Sequence, residues 1–407
     1  MKLRKDLEEQ DESPQGDGST VRTRTLQKRI RAPDQRTIVI DNGSGTMKGG
    51  FAGEDEPRAT FDTKVGRRCP QRLLTIEEDS DDVCLAEQQR WSCSHDGLNM
   101  LCPIQNGMIT DWDAMEKLWD HMFHSGLEAA PSQHAVVMTE PPLIPKQQRE
   151  QIVRILFDSF HVPALFLQSQ AALSLSATSR STGVVLELGE GFCHCVPIFQ
   201  GFTLPHAVTR VNVGGKQLSE RMGDLLLDRG CTFSTDADLD WLRELKEHHC
   251  FVAYDLQLEL QRAAKPSLHR SARLPSGRSI SISAERFLCP EALFDPPLAG
   301  ADGPGIHVQT VAAINKCDPD LTSTLFSNII LSGGSSLFPG LAQRLQRQVR
   351  ALAPAGVPVT IIAPAGRQYA AWVGGSVVAS LKGSGSAWIP RQEYDDCGPA
   401  VVHRRCF

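Results

Sequence analysis

Residues 38–45 read IVIDNGSG, an apolar run that ends in an aspartate and leads into a glycine-rich turn. Residues 184–191 read VVLELGEG and follow the same plan, with Glu187 in the place of the aspartate. Each stretch predicts a buried strand with a carboxylate at its end, beside a turn whose backbone N–H groups form an anion-binding concavity. Such a carboxylate can also hold a hydrated divalent cation. The two stretches predict two facing hairpins that grip one phosphorylated ligand between two lobes.

The composition is that of an ordinary globular protein. The chain has 407 residues, of which 41% are hydrophobic and 22% charged, enough for two or three domains or one large bilobed unit. Its net charge of -6 predicts no general affinity for nucleic acid or acidic membranes. The longest uncharged stretch, residues 161–179, contains too many polar side chains for a membrane span.

Cysteine spacing and the first residues indicate a reducing compartment. The 12 cysteines include no CxxC pair and no zinc-finger pattern. The chain starts with the charged residues MKLRK, which do not resemble a secretory signal peptide. We therefore expect reduced thiols in the cytosol or nucleus.

Two segments have compositions that favour little fixed structure. Residues 1–36 are rich in charged and polar side chains and predict a disordered tail, the alternative being a docking or targeting arm. Residues 72–97 fit neither helical nor strand periodicity and contain the acidic cluster EEDSDD at 77–82. This second segment predicts a mobile surface loop, the alternative being a partner-binding loop.

From residue 37 onward, strand and helix signals alternate, which predicts an α/β protein. Buried strands are expected at 135–138 and 328–331, and an amphipathic helix at 146–160. Another helix should follow the capping-box-like residues 110–113. Its inward positions are Met115, Leu118, Trp119, Met122 and Phe123. A last helix should begin near 339, end before Pro354 and bury Leu341, Leu345, Val349 and Leu352.

A third glycine-rich turn, SGGSS at 332–336, lies between a predicted strand and a predicted helix, where anions are favoured. Three such turns favour a shared nucleotide cleft. Lys48 could supply a cation to a phosphate, or could be an ordinary solvated lysine. The P-loop, Rossmann, G-x-S-x-G and H-E-x-x-H motifs are absent from the sequence.

Two clusters of histidine and cysteine invite a zinc interpretation, at 193–195 (CHC) and 248–250 (HHC). Alternate residues of a strand point to opposite faces, so Cys193 and His194 cannot easily share a metal. We expect these residues to serve packing.

Several segments resemble the actin family, and the resemblance extends over nearly all of residues 37–407. They are 40–53 (IDNGSGTMKGGFAG), 107–113 (GMITDWD), 139–143 (TEPPL), 289–294 (CPEALF), 331–334 (LSGG) and 402–407 (VHRRCF). Departures scattered along the chain make it resemble a divergent actin-like protein.

The resemblance implies the actin/Hsp70-type ATPase fold, in which two RNase H-like lobes enclose a nucleotide cleft. The small lobe would comprise 37–177, completed by 370–407, and the large lobe 178–369, with 1–36 as a tail. The implied cofactor is ATP or ADP with Mg²⁺ or Ca²⁺.

The resemblance also implies roles for individual residues. Asp41, Gln170 and His194 would serve hydrolysis, and Asp41 and Glu187 would hold the metal through water. The remaining nucleotide contacts would come from Gly43, Ser44, Gly45, Lys48, Gly189, Glu190, Gly191, Gly215, Arg243, Lys246, Glu247, Gly333, Gly334, Leu337 and Phe338.

Three positions depart from this pattern at the expected site. Glu187 and Glu190 stand where actins have aspartates, so each carboxylate reaches ~1.5 Å further. Gln368 replaces a lysine at the lobe hinge. Because magnesium requires near-ideal geometry, we expect nucleotide binding with weak or absent hydrolysis.

The expected polymer contacts depart as well. The loop that inserts into the next subunit corresponds to part of 68–83, which is acidic here and lacks a small hydrophobic tip. Ser176, Gly383 and Ala387 stand where actins place bulkier residues in the receiving groove. Smaller side chains bury less area, at roughly 25 cal/mol per Å², which disfavours conventional filaments.

The sequence therefore favours an actin-like structural protein that binds ATP and acts through protein partners in the cytoplasm or cytoskeleton. The partners would be cytoskeletal or actin-binding proteins, or actin itself, without direct nucleic acid contact. One alternative is a polymerising actin-type ATPase. A second is a nuclear actin-related subunit of a chromatin complex. A sugar kinase or a chaperone ATPase shares the phosphate-gripping hairpins, but nothing here resembles a sugar pocket.

Overall fold

The computed structural model describes residues 36–68, 83–85, 98–233, 235–265, 269–274, 277, 279–381 and 387–406. The expectation of a disordered tail lies outside the described residues, apart from Arg36. The same holds for the acidic segment, apart from the short strand Val83–Leu85, and for Gly383.

The described residues alternate between strands and helices, as the sequence predicts. The strands are β1 Ile38–Asn42, β2 Thr46–Phe51, β3 Ala59–Asp62, β4 Val65–Arg68, β5 Val83–Leu85, β6 Leu98–Leu101, β7 Ile104–Gln105, β8 Met108–Ile109, β9 Val136–Glu140, β10 Ala164–Ser169, β11 Gly183–Leu188, β12 Cys193–Phe199, β13 Phe202–Thr203, β14 Thr209–Val211, β15 Arg270–Arg273, β16 Ser279–Ile282, β17 Ile329–Ser332, β18 Ile361–Ile362 and β19 Ile389–Pro390. The α-helices are α1 Trp112–His121, α2 Lys146–Asp158, α3 Gln170–Ser176, α4 Gly215–Leu227, α5 Asp236–His249, α6 Leu256–Ala263, α7 Glu285–Glu291, α8 Ile306–Asn315, α9 Thr322–Phe326, α10 Leu341–Leu352, α11 Ala370–Ser380, α12 Arg391–Cys397 and α13 Val402–Arg405.

The first large sheet has six strands in the order β19-β10-β9-β1-β2-β3. Strand β1 lies at its centre, antiparallel to β2 and parallel to β9. All five residues of β1 are buried, as expected for a strand covered on both faces. Its carboxyl end therefore brings Asp41 next to the carboxyl end of β9.

The second large sheet repeats this arrangement. Strand β11 is antiparallel to β12 and parallel to β17, in the order β13-β12-β11-β17-β18, and β14 pairs with β12. Each sheet packs in a hydrophobic cluster of its own, and a smaller third cluster joins α3 to β11. Both sheets thus present a strand, a glycine-rich turn and an antiparallel strand.

Two helix predictions need correction in detail. Helix α1 begins at Trp112 because the side chain of Asp111, not Thr110, accepts a hydrogen bond from the N–H of Ala114. In α10, Leu341, Leu345 and Val349 are buried as predicted, but the inward prediction for Leu352 is wrong, since it is 48% exposed. Leu352 is the last residue of the helix, where the chain turns away from the core. The five inward positions around α1 are buried, although Met122 and Phe123 lie in a π-helical turn.

Helices α3 and α11 pack closely through a glycine. A Cβ at Gly374 would overlap the carbonyl oxygen of Leu173 in α3, so no other residue fits this crossing without a shift. The indole N–H of Trp372 on α11 donates to the carbonyl of Val39 at 3.0 Å. Helix α11 thereby holds β1 in place beneath the first glycine-rich turn.

Candidate functional site

A cavity of about 450 Å³ lies where the turns of the two large sheets meet. This volume is within the range of small-molecule sites. Its walls include the turns after β1, β11 and β17, together with residues of α5. Residues of both large hydrophobic clusters therefore line the cavity.

The carboxylate of Asp41 is a buried charge in this wall. Asp41 is 4% exposed. Its Oδ2 accepts from Lys48 Nζ at 3.0 Å, and its Oδ1 accepts from Thr139 Oγ1 at 2.8 Å and Gln170 Nε2 at 3.0 Å. Lys48 faces Asp41 because the antiparallel register of β1 and β2 pairs these two positions. The buried ion pair thus forms with both charges hydrogen-bonded, as burial demands.

The first glycine-rich turn is held from outside by Thr63, which is completely buried. Thr63 Oγ1 donates to the carbonyl of Gly43 at 2.7 Å, and its N–H donates to the carbonyl of Gly45 at 3.0 Å. In a trans peptide the C=O and the following N–H point in opposite directions. The N–H groups of Ser44 and Thr46 are therefore directed away from Thr63.

The second turn is anchored in an equivalent way to the N-terminus of α4. The carbonyls of Gly189 and Glu190 accept from the N–H groups of Gly215 and Lys216, both at 2.9 Å. The N–H groups of Glu190 and Gly191 are then directed away from α4. The direction of these N–H groups is compatible with the anion-binding turns expected from the sequence, which stay a prediction.

The two turns touch each other. A Cβ at Gly45 would lie 2.7 Å from Cβ of Glu190, and one at Gly191 would lie 3.4 Å from Ser44 Oγ. A Cβ at Gly215 would overlap Oε2 of Glu190. The side chain of Glu190 therefore occupies the space that two glycines leave open.

Glu187 and His194 are cross-strand neighbours at the end of β11 and β12. Burial, with the nearby charge of Asp41 as second cause, raises the pKa of Glu187 to about 8. Its Oε2 is buried without a hydrogen-bond partner among the described residues. Burial, with the charge of Arg210 as second cause, lowers the pKa of His194 to about 3, so this imidazole is neutral at physiological pH.

The third turn requires glycine. Gly333 has a φ of +86°, and a Cβ there would overlap the carbonyl oxygen of Leu188. Arg367 fixes the turn from behind, since its carbonyl accepts from the N–H of Gly333 at 3.1 Å and its guanidinium donates to Ser336 O at 2.8 Å. Ser335 Oγ donates to the carbonyl of Gly189 at 3.1 Å and links the second and third turns.

Helix α5 contributes Arg243, Lys246 and Glu247 to the wall of the cavity. Lys246 is 2% exposed and donates to the carbonyl of Gly215 at 2.7 Å. Arg243 donates to both carboxylate oxygens of Asp62, at 3.1 and 2.9 Å. Burial alone would lower the pKa of Arg243, but the hydrogen bonds and charge of Asp62 raise it above its ordinary value.

Comparison with known protein families agrees with this geometry. A family model described as Actin matches residues 32–407. The chain belongs to the actin family. The α/β sheets described above are consistent with an actin-type fold.

The site residues that the actin resemblance suggested come together in this cavity, with one exception. Gly215 does not line it, although its carbonyl accepts from Lys246. The lining includes Asp41, Gly43, Ser44, Gly45, Lys48, Gln170, Glu187, Gly189, Glu190, Gly191, His194, Arg243, Lys246, Glu247, Gly333, Gly334, Leu337, Phe338 and Gln368. Their roles toward a ligand stay predictions.

Sequence reasoning missed two residues that organise the site. Thr139 donates to Asp41 and accepts from the N–H of Asn42 at 2.9 Å. Its position after a predicted strand was a usable signal, because the carboxyl ends of neighbouring parallel strands meet at one edge. Thr63 left no such signal, since its role depends on how β3 and β4 are joined.

The residues of this actin-family cavity fit a hydrated divalent cation. Magnesium in nucleotide sites is held by one or two carboxylates, waters and phosphates. Asp41 and Glu187 supply two carboxylates, and Glu187 Oε2 has no other partner in the described part of the chain. Among all the residues that the structure describes, no group of three or more histidine, cysteine or acidic side chains is arranged to hold a metal ion.

The cysteines beside His194 face away from the cavity. Cys193 Sγ donates to the carbonyl of Val213 at 2.8 Å, and Cys195 Sγ lies 3.4 Å from Thr310 Oγ1. Both are buried in the second core, whereas His194 lines the cavity.

Among the described residues, no helix is both long and apolar enough to span a bilayer.

Glu187 should make the stability of the ligand-free protein depend on pH. Its ordinary pKa is 4.5 and its folded pKa about 8, so within this window only the folded chain keeps the proton. The free energy of unfolding then falls with rising pH, on the order of 1.4 kcal/mol per pH unit. Glu187→Gln stays neutral, so its stability relative to the unmodified protein should rise up to about pH 8 and level off above.

Urea unfolding in EDTA at several pH values measures this difference. The contribution of His194 to the free energy of unfolding changes with pH in the opposite direction. Because its pKa is lowered in the folded protein, this contribution is fully present above its ordinary pKa of 6.5 and is lost as pH falls toward 3. That contribution is common to both proteins and cancels in their difference. A constant difference from acid to alkaline pH would contradict the assignment.

Proposed function

We propose that this chain is a structural member of the actin family that binds ATP or ADP with a divalent cation and acts through protein partners of the cytoskeleton. The observation that carries the proposal is the convergence of three glycine-rich turns, the Asp41–Lys48 pair and Glu187 on one cavity of about 450 Å³. The two sheets with separate cores support a two-lobe arrangement with the nucleotide between them.

The phosphate end of the nucleotide would lie against the first two turns. Outward N–H groups of Ser44, Glu190 and Gly191 suit phosphate oxygens, and Lys48 adds a positive charge. Asp41 and Glu187 would hold the cation through water. The cation would neutralise phosphate charge when bound.

The nucleoside end would lie against α5 and the third turn. Lys246 and Glu247 offer polar groups there, and the buried ring of Phe338 offers an apolar face. Gln368 has a buried Oε1 without a hydrogen-bond partner in the described residues, which leaves an acceptor for a ligand donor.

Hydrolysis should be weak. The carboxylates of Glu187 and Glu190 reach about one methylene further than aspartates would. The longer side chain of Glu190 lies between Gly45 and Gly215. A shift of ~1 Å in a group that orients metal or water can cost about 100-fold in rate.

A second candidate, a polymerising actin-type ATPase, is favoured by two observations. Gln170 Nε2 donates to Asp41 at 3.0 Å, which holds this amide in the cavity wall. His194 lies in the same wall as a neutral imidazole, which can accept one hydrogen bond and donate another. These two groups would serve water activation if the carboxylates allowed it.

Nucleotide binding tests the proposal directly. Titration of the metal-loaded protein with ATP in a calorimeter should show one site per chain. Lys48→Met should weaken binding at least tenfold, because a buried positive charge beside the phosphates is lost. Lys316→Ala, at an exposed lysine that does not line the cavity, should leave affinity unchanged. Absence of binding by the unmodified protein would sink the proposal.

Single-turnover ATP cleavage tests the hydrolysis argument. The unmodified protein should cleave ATP much more slowly than a conventional actin assayed alongside. The double variant Glu187→Asp/Glu190→Asp should be faster, by up to about 100-fold, because the carboxylates then have aspartate reach. Glu244→Asp makes the same shortening at an exposed position and serves as the control. Equal rates for this protein and conventional actin would refute the argument.

Filament formation is measurable by pelleting under magnesium and potassium. We expect the protein to stay in the supernatant, because Ser176 and Ala387 provide little area for a groove. The hydroxyl of Ser176 bonds to Ala172 O at 3.0 Å, and Ala387 packs against the first core. Sedimentation with filaments visible in micrographs would instead favour the polymerising candidate.

A further inference from the structure

Two ion pairs join the first sheet to α5 beside the cavity. Asp62, the last residue of β3, binds the guanidinium of Arg243 through both oxygens, at 3.1 and 2.9 Å. Two residues later, Lys64 Nζ donates to Asp240 Oδ1 at 2.7 Å. Asp240 and Arg243 are three residues apart and therefore lie on the same side of α5.

These pairs connect two separately packed parts of the molecule. Strand β3 belongs to the first sheet, whereas α5 packs Leu242 and Leu245 into the second core. Thr60 of β3 and Arg243 both line the cavity, and Thr60 is exposed. We call the side of the cavity lined by Thr60 and Arg243 its mouth.

The same short segment also holds the first glycine-rich turn. Thr63, between the two charged residues, binds the carbonyls of Gly43 and Gly45. On the other side, α5 carries Lys246 and Glu247 into the cavity wall. A ligand seated between the turn and α5 would therefore be enclosed by elements that the two ion pairs tie together.

The pairs are placed where their strength depends on salt. The side chains of Arg243 and Asp62 are 18% and 23% exposed, and those of Lys64 and Asp240 are 26% and 46% exposed. Partly exposed pairs are screened by ions, unlike the Asp41–Lys48 pair at 5% and 11%. A planar bidentate pair nevertheless fixes geometry better than a single contact.

We propose that Asp62–Arg243 and Lys64–Asp240 form an ionic clasp that holds the mouth of the cavity closed and slows the release of a bound nucleotide. This proposal rests on the proposed nucleotide site. It goes beyond that site in assigning a regulatory role to Asp62, Lys64 and Asp240, none of which lines the cavity. Ionic strength would then tune the residence time of the ligand.

Displacement of a fluorescent ATP analogue by excess ATP measures the release rate. Asp240→Lys places two like charges together and should speed release about fivefold, the effect expected of one partly exposed pair. The swap Lys64→Glu/Asp240→Lys should restore slow release. Asp62→Asn should speed release similarly and should weaken its dependence on salt. Asp224→Lys, the same charge change at an exposed position of α4, is the control.

Hydrogen exchange of the ligand-free proteins separates this proposal from the proposed function. Asp240→Lys should speed exchange in 59–62 and 236–249, and the swap should reverse that change. If the unmodified protein binds no ATP but exchange behaves in this way, the proposed function fails and the ionic connection stands. If ATP binds but release and exchange are unchanged by Asp240→Lys, the clasp is overturned.

Discussion

The burial of Asp41 is the constraint on which the rest of the site depends. A carboxylate at 4% exposure is costly unless its oxygens are bonded, and three donors meet that need. Lys48 comes from β2, Thr139 from β9 and Gln170 from the start of α3. One side chain thereby sets the positions of two neighbouring strands and a helix at the carboxyl edge of the first sheet.

The second sheet repeats this arrangement without the same compensation. Glu187 occupies the corresponding strand end, but its Oε2 has no partner among the described residues and its pKa is raised by burial. In the wall formed by the first sheet, the charge of Asp41 is therefore compensated by protein groups alone. In the wall formed by the second sheet, a positive charge bound near Glu187 would lower its raised pKa and favour its carboxylate form.

Local patterns predicted much of this fold. Strand, turn and strand follow from 38–51, and the spacing of Asp41 and Lys48 gave a usable signal because antiparallel register pairs positions around a short turn. Partners far apart in the chain were not predicted, although the strand end at Thr139 was a usable signal. Thr139 meets Asp41 across 98 residues and Arg243 meets Asp62 across 181 residues, distances over which periodicity says nothing. Leu352 shows a related limit. The spacing of apolar residues predicts which face of a helix is buried, but not at which residue that face leaves the core.

Glu190 has a consequence for how this sequence can change over time. Its side chain fills the volume that a Cβ at Gly45 or Gly215 would need. An alanine at Gly45, in the turn after β1, would meet Cβ of Glu190, whereas an alanine at Gly215 of α4 would meet the carboxylate end of the Glu190 side chain, which can shift. Substitutions at these three positions, far apart in the chain, should therefore be non-additive in their effect on stability, because each one changes the space that the others leave.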